Sequence, residues 1–351
     1  MGNHLVEILR ENGEDVVVTT RGARESRNGI CYLQGNAHDL DFLKRITKEE
    51  KFSCIVDFMS YSTSEFQQRR DFFLNAAEQY MFLSSSRVYA ESETPITESS
   101  ARLLDCCTDH DYLKTDEYAL AKARQENQLF DAQRRNWTII RPYITYSNIR
   151  LQLGVYEKEK WLYRALKGRP IVFSKDIASR MTSLTYGADV ALVMAKLIGN
   201  PNAMGEAFHI VSPEGIRWND VLEIYKNTLE ETRGICPAVE LTERAIVPEE
   251  AQYQYRYDRL FDRLFDSEKV ARAIGQMPEF TRPQAGIAQC LREFLSGSQN
   301  FRAIDWKMEA TFDHKAASRA SLSEIQGRKD QLRYLGYRYA PGLMKAMKSM
   351  R

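Results

Sequence analysis

Three residues that together could move a proton at an alcohol carbon are Ser85, Tyr118 and Lys122. Tyr118 and Lys122 are four residues apart, so on a helix their side chains share one face. A lysine ammonium in that position lowers the pKa of a phenol from its usual value of about 10 towards neutrality. A tyrosine adjusted in this way can serve as a general acid or base. The same spacing also occurs on solvated helix faces, so the surrounding elements must decide between the two interpretations.

The segments around these residues have the patterns of elements that could position them. Residues 116–134 are rich in Ala, Leu, Lys, Glu and Gln and contain no Gly or Pro, which predicts a helix that carries Tyr118 and Lys122. The apolar run 80–83 predicts a buried strand that ends just before Ser85.

Strand and helix patterns alternate along the first 150 residues. Apolar and β-branched runs predict strands at 16–20, 32–33, 53–58, 80–84 and 138–140. Amphipathic patterns predict further helices at 2–12, 39–50 and 64–79. This alternation predicts an α/β fold with a Rossmann-like, doubly wound parallel sheet. Shorter elements follow and predict a smaller C-terminal lobe, with helices at 189–198, 218–229 and 284–295 and strands at 207–211 and 238–241.

Composition excludes several classes of function. The chain has 351 residues, of which 43% are hydrophobic and 28% charged, and its net charge is +1, so neither nucleic acid nor an anionic membrane is an expected partner. There is no apolar run long enough to span a membrane and no signal-peptide pattern, which makes the cytoplasm the expected location. Neither the six cysteines nor the five histidines have metal-ligand spacing, so no metal site is expected.

The beginning of the chain departs from the pattern of such a sheet, which starts with a strand and a glycine loop. Residues 1–6 look like the end of a G-x-x-G-x-x-G fingerprint, with Gly2 as its last glycine. Either translation starts about ten residues upstream, or the protein lacks the loop that holds a dinucleotide's pyrophosphate. We favour the first explanation, because a gap in the middle of a sheet leaves backbone groups unpaired.

The ordered set of motifs resembles the extended short-chain dehydrogenase/reductase superfamily, in its NAD-dependent epimerase/dehydratase branch, which acts on nucleotide sugars. The resemblance covers about residues 1–295, and its matching segments are 1–6, 34–39, 83–89, 118–122, 141–146, 184–191, 205–210 and 266–269. It implies three regions: an N-terminally incomplete NAD(P)-binding domain at 1–150, a substrate-binding lobe at 151–300 that partly returns to the main sheet, and a basic extension at 301–351.

The resemblance implies a role for each matching residue. Ser85 matches the catalytic serine or threonine that bonds the sugar oxygen, Tyr118 the acid–base tyrosine, and Lys122 the lysine that bonds the nicotinamide ribose and lowers the tyrosine's pKa. The residues expected near the cofactor are Gly2, Arg21, Asn36, Ala37, Phe58, Met59, Ser60, Lys122, Tyr143 and Ile144. Relatives of this kind often dimerise, which makes a homodimer through the helices at 64–79 and 116–134 an expectation.

Two departures from the family pattern bear on the reaction. No acid ends the strand at 16–20, and Arg21 could pair with a 2′-phosphate, so NADP is favoured over NAD, although an exposed turn arginine would look the same. Ser86 and Arg87 stand where dehydratases of this family carry Asp-Glu, which favours an epimerase or a reductase over a dehydratase.

Cations that could bind a nucleotide diphosphate are Arg180, Arg256 and Arg259, with Arg141 as a fourth candidate, and Ser86 could also contact the substrate. Each arginine could equally form an ion pair at the surface. The expected function is therefore an NAD(P)-dependent epimerase or reductase for a nucleotide sugar. Two alternatives stay open: a non-catalytic binding protein of the same fold, and a reductase of small carbonyl compounds.

The last 33 residues, 319–351, carry eight basic and two acidic side chains, a net charge of +6. A nucleic-acid tail is one interpretation. A helical extension that covers the protein's own surface is favoured, because the same stretch contains six apolar or aromatic residues that are expected to be buried: Tyr334, Leu335, Tyr337, Tyr339, Leu343 and Met344.

Overall fold

The computed structural model describes residues 1–49 and 51–344. Its strands are β1 Val16–Thr20, β2 Ile30–Gln34, β3 Phe52–Asp57, β4 Ala77–Leu83, β5 Trp137–Pro142, β6 Ile144–Tyr146, β7 Gln152–Leu153, β8 Tyr156–Glu157, β9 Ile171–Ser174, β10 Met181–Tyr186, β11 Glu206–Ile210, β12 Gly215–Arg217 and β13 Val239–Thr242. Its helices are α1 Gly2–Glu11, α2 Leu40–Glu49, α3 Thr63–Ala76, α4 Leu103–Cys106, α5 His110–Leu113, α6 Tyr118–Phe130, α7 Lys158–Leu166, α8 Lys175–Ala178, α9 Gly187–Leu197, α10 Trp218–Arg233, α11 Gln252–Gln254, α12 Glu268–Ile274, α13 Pro283–Ser296, α14 Trp306–Lys315 and α15 Arg328–Tyr339.

These elements belong to two compact units, each assembled from separate parts of the chain. Unit 1 comprises Met1–Thr145, Ser183–Gly215 and Arg263–Thr281. Unit 2 comprises Tyr146–Thr182, Ile216–Asp262 and the described residues from Arg282 onward. The division of the chain into regions at residues 150 and 300 stays a prediction.

Unit 1 contains the predicted parallel sheet. Its four strands run in the order β11-β5-β4-β3, and all neighbours are parallel. β1 and β2 form a separate parallel pair. Among the described residues, neither β1 nor β2 pairs with a strand of the four-stranded group. The α/β class and the parallel, doubly wound arrangement predicted from the sequence are confirmed.

Side chains along β4 point alternately to the two faces of this sheet, and both faces are covered by helices. Met81 and Leu83 pack with residues of α1 and α9, whereas Tyr80 and Phe82 pack with Phe66 and other residues of α3. All four of these β4 side chains are buried. A strand with two apolar faces is expected in a parallel sheet that has helices on both sides.

The boundary between α3 and β4 differs from the prediction of a helix over 64–79. The helix ends at Ala76, and the strand already begins at Ala77, which pairs with Phe52 of β3. The Gln79 amide is buried and donates to Thr138 Oγ1 at 2.9 Å and to the Leu197 carbonyl at 3.0 Å. Pairing with neighbouring strands therefore overrides the local helix propensity of this segment.

Unit 2 contains the β7–β8 hairpin, the parallel pair β9–β13 and a set of helices. Within it, α14 is deeply packed, and Ala310, Phe312 and Asp313 are fully buried. Trp306 and Tyr334 share a small apolar core, against which Leu335 and Tyr337 pack, so this part of the predicted C-terminal extension covers the unit's own surface. The expected burial of Tyr339 and Leu343 is wrong, because both side chains are exposed. Lys345, Lys348 and Arg351, which contribute to the predicted basic charge, lie outside the described residues. Within residues 1–49 and 51–344, none of the helices is both long and apolar enough to cross a membrane.

Candidate active site

Ser85 lies directly after β4, between two serines whose hydroxyls are bonded to protein groups. Ser84 donates to Glu126 Oε1 at 2.6 Å, and Ser86 donates to the Arg141 carbonyl at 2.8 Å. The Ser85 hydroxyl accepts the Arg87 backbone N–H at 3.2 Å, which leaves its own proton able to be donated. Of the three hydroxyls, Ser85 is thus the one arranged to bond a further oxygen.

The helix α6 carries Tyr118 and Lys122, and the side chain of Glu117 caps its N-terminus by accepting the Ala119 N–H at 2.9 Å. Tyr118, the first residue of the helix, is 40% exposed, whereas Lys122, one turn later, is only 3% exposed. The Lys122 ammonium donates to the Leu83 carbonyl at 2.7 Å and lies 4.5 Å from the centre of the Phe82 ring. Lys122 is therefore attached to the strand that ends at Ser85.

Burial controls the ionisation of Lys122. It lowers the pKa of the ammonium to about 8, against the opposing attraction of Asp57 and Glu126. Asp57, at the end of β3, accepts the Tyr80 hydroxyl at 2.8 Å and the Met59 N–H at 2.9 Å, and burial raises the pKa of its carboxyl. The lysine therefore lies in the field of two buried carboxylates.

Glu126, one turn beyond Lys122, is the centre of a buried polar network. Arg141 binds both of its carboxylate oxygens at 2.8 Å, and Arg102 donates to it at 3.2 Å. The Arg141 guanidinium also donates to the Tyr89 hydroxyl at 2.9 Å. Arg141 was a candidate for the substrate's diphosphate, but its side chain is buried and bonded within this network.

Arg87 is a cation that lies beside the Tyr118 ring. Its guanidinium donates to Glu117 Oε1 at 2.7 Å, and the guanidinium carbon lies 5.4 Å from the centre of the Tyr118 ring. Since Arg87 follows Ser85 by two residues, the turn after β4 and the N-terminus of α6 meet here. The structure thus brings Ser85, Tyr118 and Lys122 to one junction of strand and helix.

Several residues expected at the cofactor follow the carboxyl ends of parallel strands in unit 1. Phe58, Met59 and Ser60 follow β3, and Phe58 is exposed. Asn36 follows β2 and accepts the His38 N–H, while the carbonyl of Arg21, after β1, accepts the Gln34 side chain at 3.2 Å. Tyr143 and Ile144 are buried beyond β5, and Ala37 packs against the core around Phe42.

The start of α1 tests whether these residues fit a dinucleotide. Met1 provides no side-chain cap to the helix, and its first turn contains no acidic residue. Uncapped N–H groups at a helix N-terminus favour an anion such as a diphosphate. A Cβ on Gly2 would be in ordinary van der Waals contact with the Phe58 ring, at 3.8 Å. The start of α1 therefore fits an anion such as a phosphate group.

The three arginines expected at the substrate belong to unit 2 and differ in environment. Arg180 and Arg256 are exposed, and the Arg256 guanidinium lies 5.2 Å from the Tyr257 ring. Arg259 is buried, is paired with Asp258, and donates to the Gly154 carbonyl at 3.0 Å. Its contacts are those of a structural side chain, which sequence patterns could not distinguish from a surface cation.

Asp57, Glu126 and the Arg87–Glu117 pair belong to this site but were not predicted from the sequence. A signal for Glu126 was present, since it continues the spacing of Tyr118 and Lys122 by another four residues. Asp57 is a single charge within an apolar strand run, which is also unusual. No group of three or more potential metal ligands occurs among the residues that the structure describes.

Comparison with known proteins gives one family match. A model of the NAD-dependent epimerase/dehydratase family matches residues 1–211. No curated protein sequence matches the chain.

Solved structures share the fold at low identity. The dTDP-glucose 4,6-dehydratase (rfbB) of Bacillus anthracis str. Ames, in complex with NAD, has a TM-score of 0.64 at 13% identity, over 87% of this chain and 96% of that one. The UDP-glucose-4-epimerase of Stenotrophomonas maltophila, with NAD and formylated UDP-arabinopyranose, has a TM-score of 0.60 at 14% identity, covering 84% and 94%. The Bordetella bronchiseptica enzyme WbmH, in complex with NAD+, has the same TM-score and identity, covering 84% and 94%.

Proposed function

Because the chain belongs to the NAD-dependent epimerase/dehydratase family, we propose that it is an NAD(P)-dependent epimerase or reductase that acts on a nucleotide sugar. The observation that carries this proposal is the junction at the end of β4. There Lys122 is bonded to Leu83, Ser85 retains a hydroxyl proton to donate, and Tyr118 is exposed one turn before the lysine. A protein that only bound a partner would not need these three groups together.

The chain's own residues would handle the proton and the sugar oxygen. The Ser85 hydroxyl donates a hydrogen bond to the oxygen on the reacting carbon, and Tyr118 takes the proton from that oxygen or returns it. The Lys122 ammonium stabilises the ionised phenol by its charge. When bound, the nicotinamide ring would accept a hydride from the reacting carbon or donate one to it.

An epimerase or a reductase agrees better with the site than a dehydratase does. Elimination of water needs an additional acid and base beside the reacting carbon. The two residues after Ser85 are a buried serine, bonded to the Arg141 carbonyl, and an arginine paired with Glu117. Neither provides the carboxylate pair expected for elimination.

The decisive substitution is Tyr118→Phe. We expect kcat to fall by at least about 100-fold, because general acid–base catalysis contributes that much or more. Tyr32→Phe is the matched control, since Tyr32 also lies under a guanidinium, that of Arg24 at 5.7 Å. Turnover that is unchanged in Tyr118→Phe would reject the proposed chemistry.

For the cofactor we propose NADP, on the basis of Arg21 at the end of β1. The comparison structures that contain a cofactor contain NAD, so the two cofactors should be titrated side by side. We expect tighter binding of NADP, and a shift towards NAD in Arg21→Glu, because a carboxylate repels the 2′-phosphate and can accept from the ribose hydroxyl. Tighter binding of NAD to the wild type would contradict this assignment.

For the substrate we propose that Arg180 and Arg256 contact the nucleotide diphosphate, and we leave out the buried Arg259. Thermal-shift measurements with UDP-, GDP- and dTDP-sugars would identify the base, because a ligand that binds only the native state raises its melting temperature. A response to small carbonyl compounds alone would favour the alternative reductase.

We also propose a cytoplasmic homodimer formed through α3 and α6, which light scattering of the purified protein would test.

A further inference from the structure

We infer that Arg87 is a positioning residue that acts through Tyr118: its guanidinium stabilises the ionised form of the phenol and shares this role with Lys122. The inference rests on the proposed function, in which Tyr118 exchanges a proton with the sugar. It adds a residue of the turn after β4 to the machinery, and it gives the chain two separate cations near one phenol.

The first reason is that the two cations differ in the pH range over which they stay charged. The Lys122 ammonium is buried and donates to the Leu83 carbonyl, and burial lowers its pKa to about 8. At mildly alkaline pH an increasing part of Lys122 is therefore uncharged. A guanidinium stays charged throughout this range, so Arg87 can supply a positive charge where Lys122 no longer does.

The second reason is that the Arg87 guanidinium is held in place at the tyrosine. It lies 5.4 Å from the centre of the Tyr118 ring and donates to Glu117 at 2.7 Å. Glu117 is fixed in turn by the Ala119 N–H and by the Tyr112 hydroxyl, each at 2.9 Å. The arginine is thus attached to the N-terminus of the helix that carries Tyr118.

Other charges around the phenol must be counted for a titration. The charged groups on α6 and on the elements packed against it are Arg87 with Glu117, Lys122, Arg124 with Asp116, Glu126, Arg102 with Asp105, and Glu65, Arg69, Arg70 and Asp71 of α3. In addition, Asp57 attracts Lys122, and Arg263 repels Arg87. Glu117 opposes the effect of Arg87 on the phenolate. Removing the Arg87 charge therefore has two consequences of the same sign: it deletes a cation and leaves Glu117 unneutralised.

The experiment is a pH titration of Tyr118 by NMR of protein labelled with 13C at the tyrosine Cζ, with the signal assigned from Tyr118→Phe. In Arg87→Gln and in Arg87→Met we expect the titration midpoint to rise by about one pH unit, the effect of a unit charge at ~6 Å in a medium of intermediate polarity. Arg87→Lys keeps the charge and should show less than half of that shift. Arg70→Gln is the control, since Arg70 also pairs with a carboxylate, Asp71, and contacts α6 through the Gln128 carbonyl.

A second measurement tests Arg87 without replacing it. In Lys122→Met the Tyr118 midpoint should stay below about 10, the ordinary value for a phenol, because Arg87 is still present. A midpoint of 10 or above in this variant would overturn the inference, as would neutral Arg87 variants with an unchanged midpoint or Arg87→Lys with the full shift.

Because the NMR signal does not depend on turnover, the two proposals fail separately. A protein without activity in which Arg87 still shifts the midpoint would refute the proposed function alone. An active enzyme without the shift would refute the role of Arg87 alone.

Discussion

Lys122 shows how a single buried side chain connects stability with chemistry. Its stem lies in the core, its ammonium bonds the carbonyl of the strand that ends at Ser85, and the two nearby carboxylates only partly compensate for lost hydration. The cation is costly to bury, but burial is also what makes its charge act strongly on neighbouring groups.

The pH dependence of stability should report this cost. The pKa of Lys122 is about 8 in the folded protein and near 10.5 when unfolded, so between these values the unfolded chain binds more protons. The contribution of Lys122 to the free energy of unfolding therefore rises with pH across this window. We expect the wild type to gain about 2–3 kcal/mol relative to Lys122→Met between pH 7 and pH 10.

Urea denaturation of both proteins at the two pH values measures this gain. Lys114→Met is the control, because Lys114 is an exposed lysine on a surface ion pair, and its difference from the wild type should not change with pH. A constant difference for Lys122→Met as well would show that the lysine has an ordinary pKa in the folded protein.

The chemistry-bearing residues could be identified from the sequence, but not the environments of the arginines. Tyr118 and Lys122 are placed by helical spacing, which is local. Arg141 is buried where Glu126, on a different element, faces it, and buried Arg259 has, besides its neighbour Asp258, the distant Gly154 carbonyl as an acceptor. Long-range pairing of this kind leaves no local pattern, so a buried arginine and a surface arginine look alike in a single sequence.

At the scale of whole elements, the local sequence also fails to predict where β4 begins. Residues 77–79 have helix propensity, but they become strand because β3 offers backbone partners and because Thr138 and Leu197 accept from the Gln79 amide. Strand positions for β1, β3 and β5 were predictable to within two residues, since most residues of their runs are β-branched or apolar. The helices of unit 2 that precede residue 170 and follow residue 300 were not predicted individually.

The Glu126 network joins β4, α6 and β5, and its stability effect should be large and strongly non-additive. Glu126→Ala leaves the Arg141 guanidinium buried without its carboxylate, which should cost about 3–5 kcal/mol. The double variant Glu126→Leu with Arg141→Leu should recover most of this loss, because it removes both buried charges.

Chemical denaturation at pH 7 measures the free energy of unfolding that Glu126→Ala loses and the part of it that the double variant recovers. Glu268→Ala is a suitable control, since its ion pair with Arg272 is exposed on both sides and should contribute less than about 1 kcal/mol. If the double variant loses as much free energy of unfolding as the two single substitutions lose when added together, the network does not act as one coupled unit.

For the whole chain, the C-terminal segment decides whether unit 2 ends near residue 300 or also includes α14 and α15. Arg164 of α7 is fully buried and binds Glu309 at 2.9 Å and Asp313 at 3.0 Å, both on α14. Arg169 reaches the same two carboxylates at 2.8 and 3.1 Å. Two buried guanidiniums thus depend on a helix from the C-terminal segment for their countercharges.

This dependence makes α14 an internal part of unit 2 and gives a final prediction. Asp313→Ala should lower the free energy of unfolding by about 3–5 kcal/mol, because it leaves buried guanidinium charge uncompensated. Glu249→Ala, which removes an exposed partner of Lys307 on the same helix, should cost less than about 1 kcal/mol. In hydrogen exchange, the amides of α14 should be protected as strongly as those of α10, since both helices bury large side chains in one unit. Exchange of α14 within seconds, together with a small effect of Asp313→Ala, would instead identify the segment as a tail that adds little to the stability of unit 2.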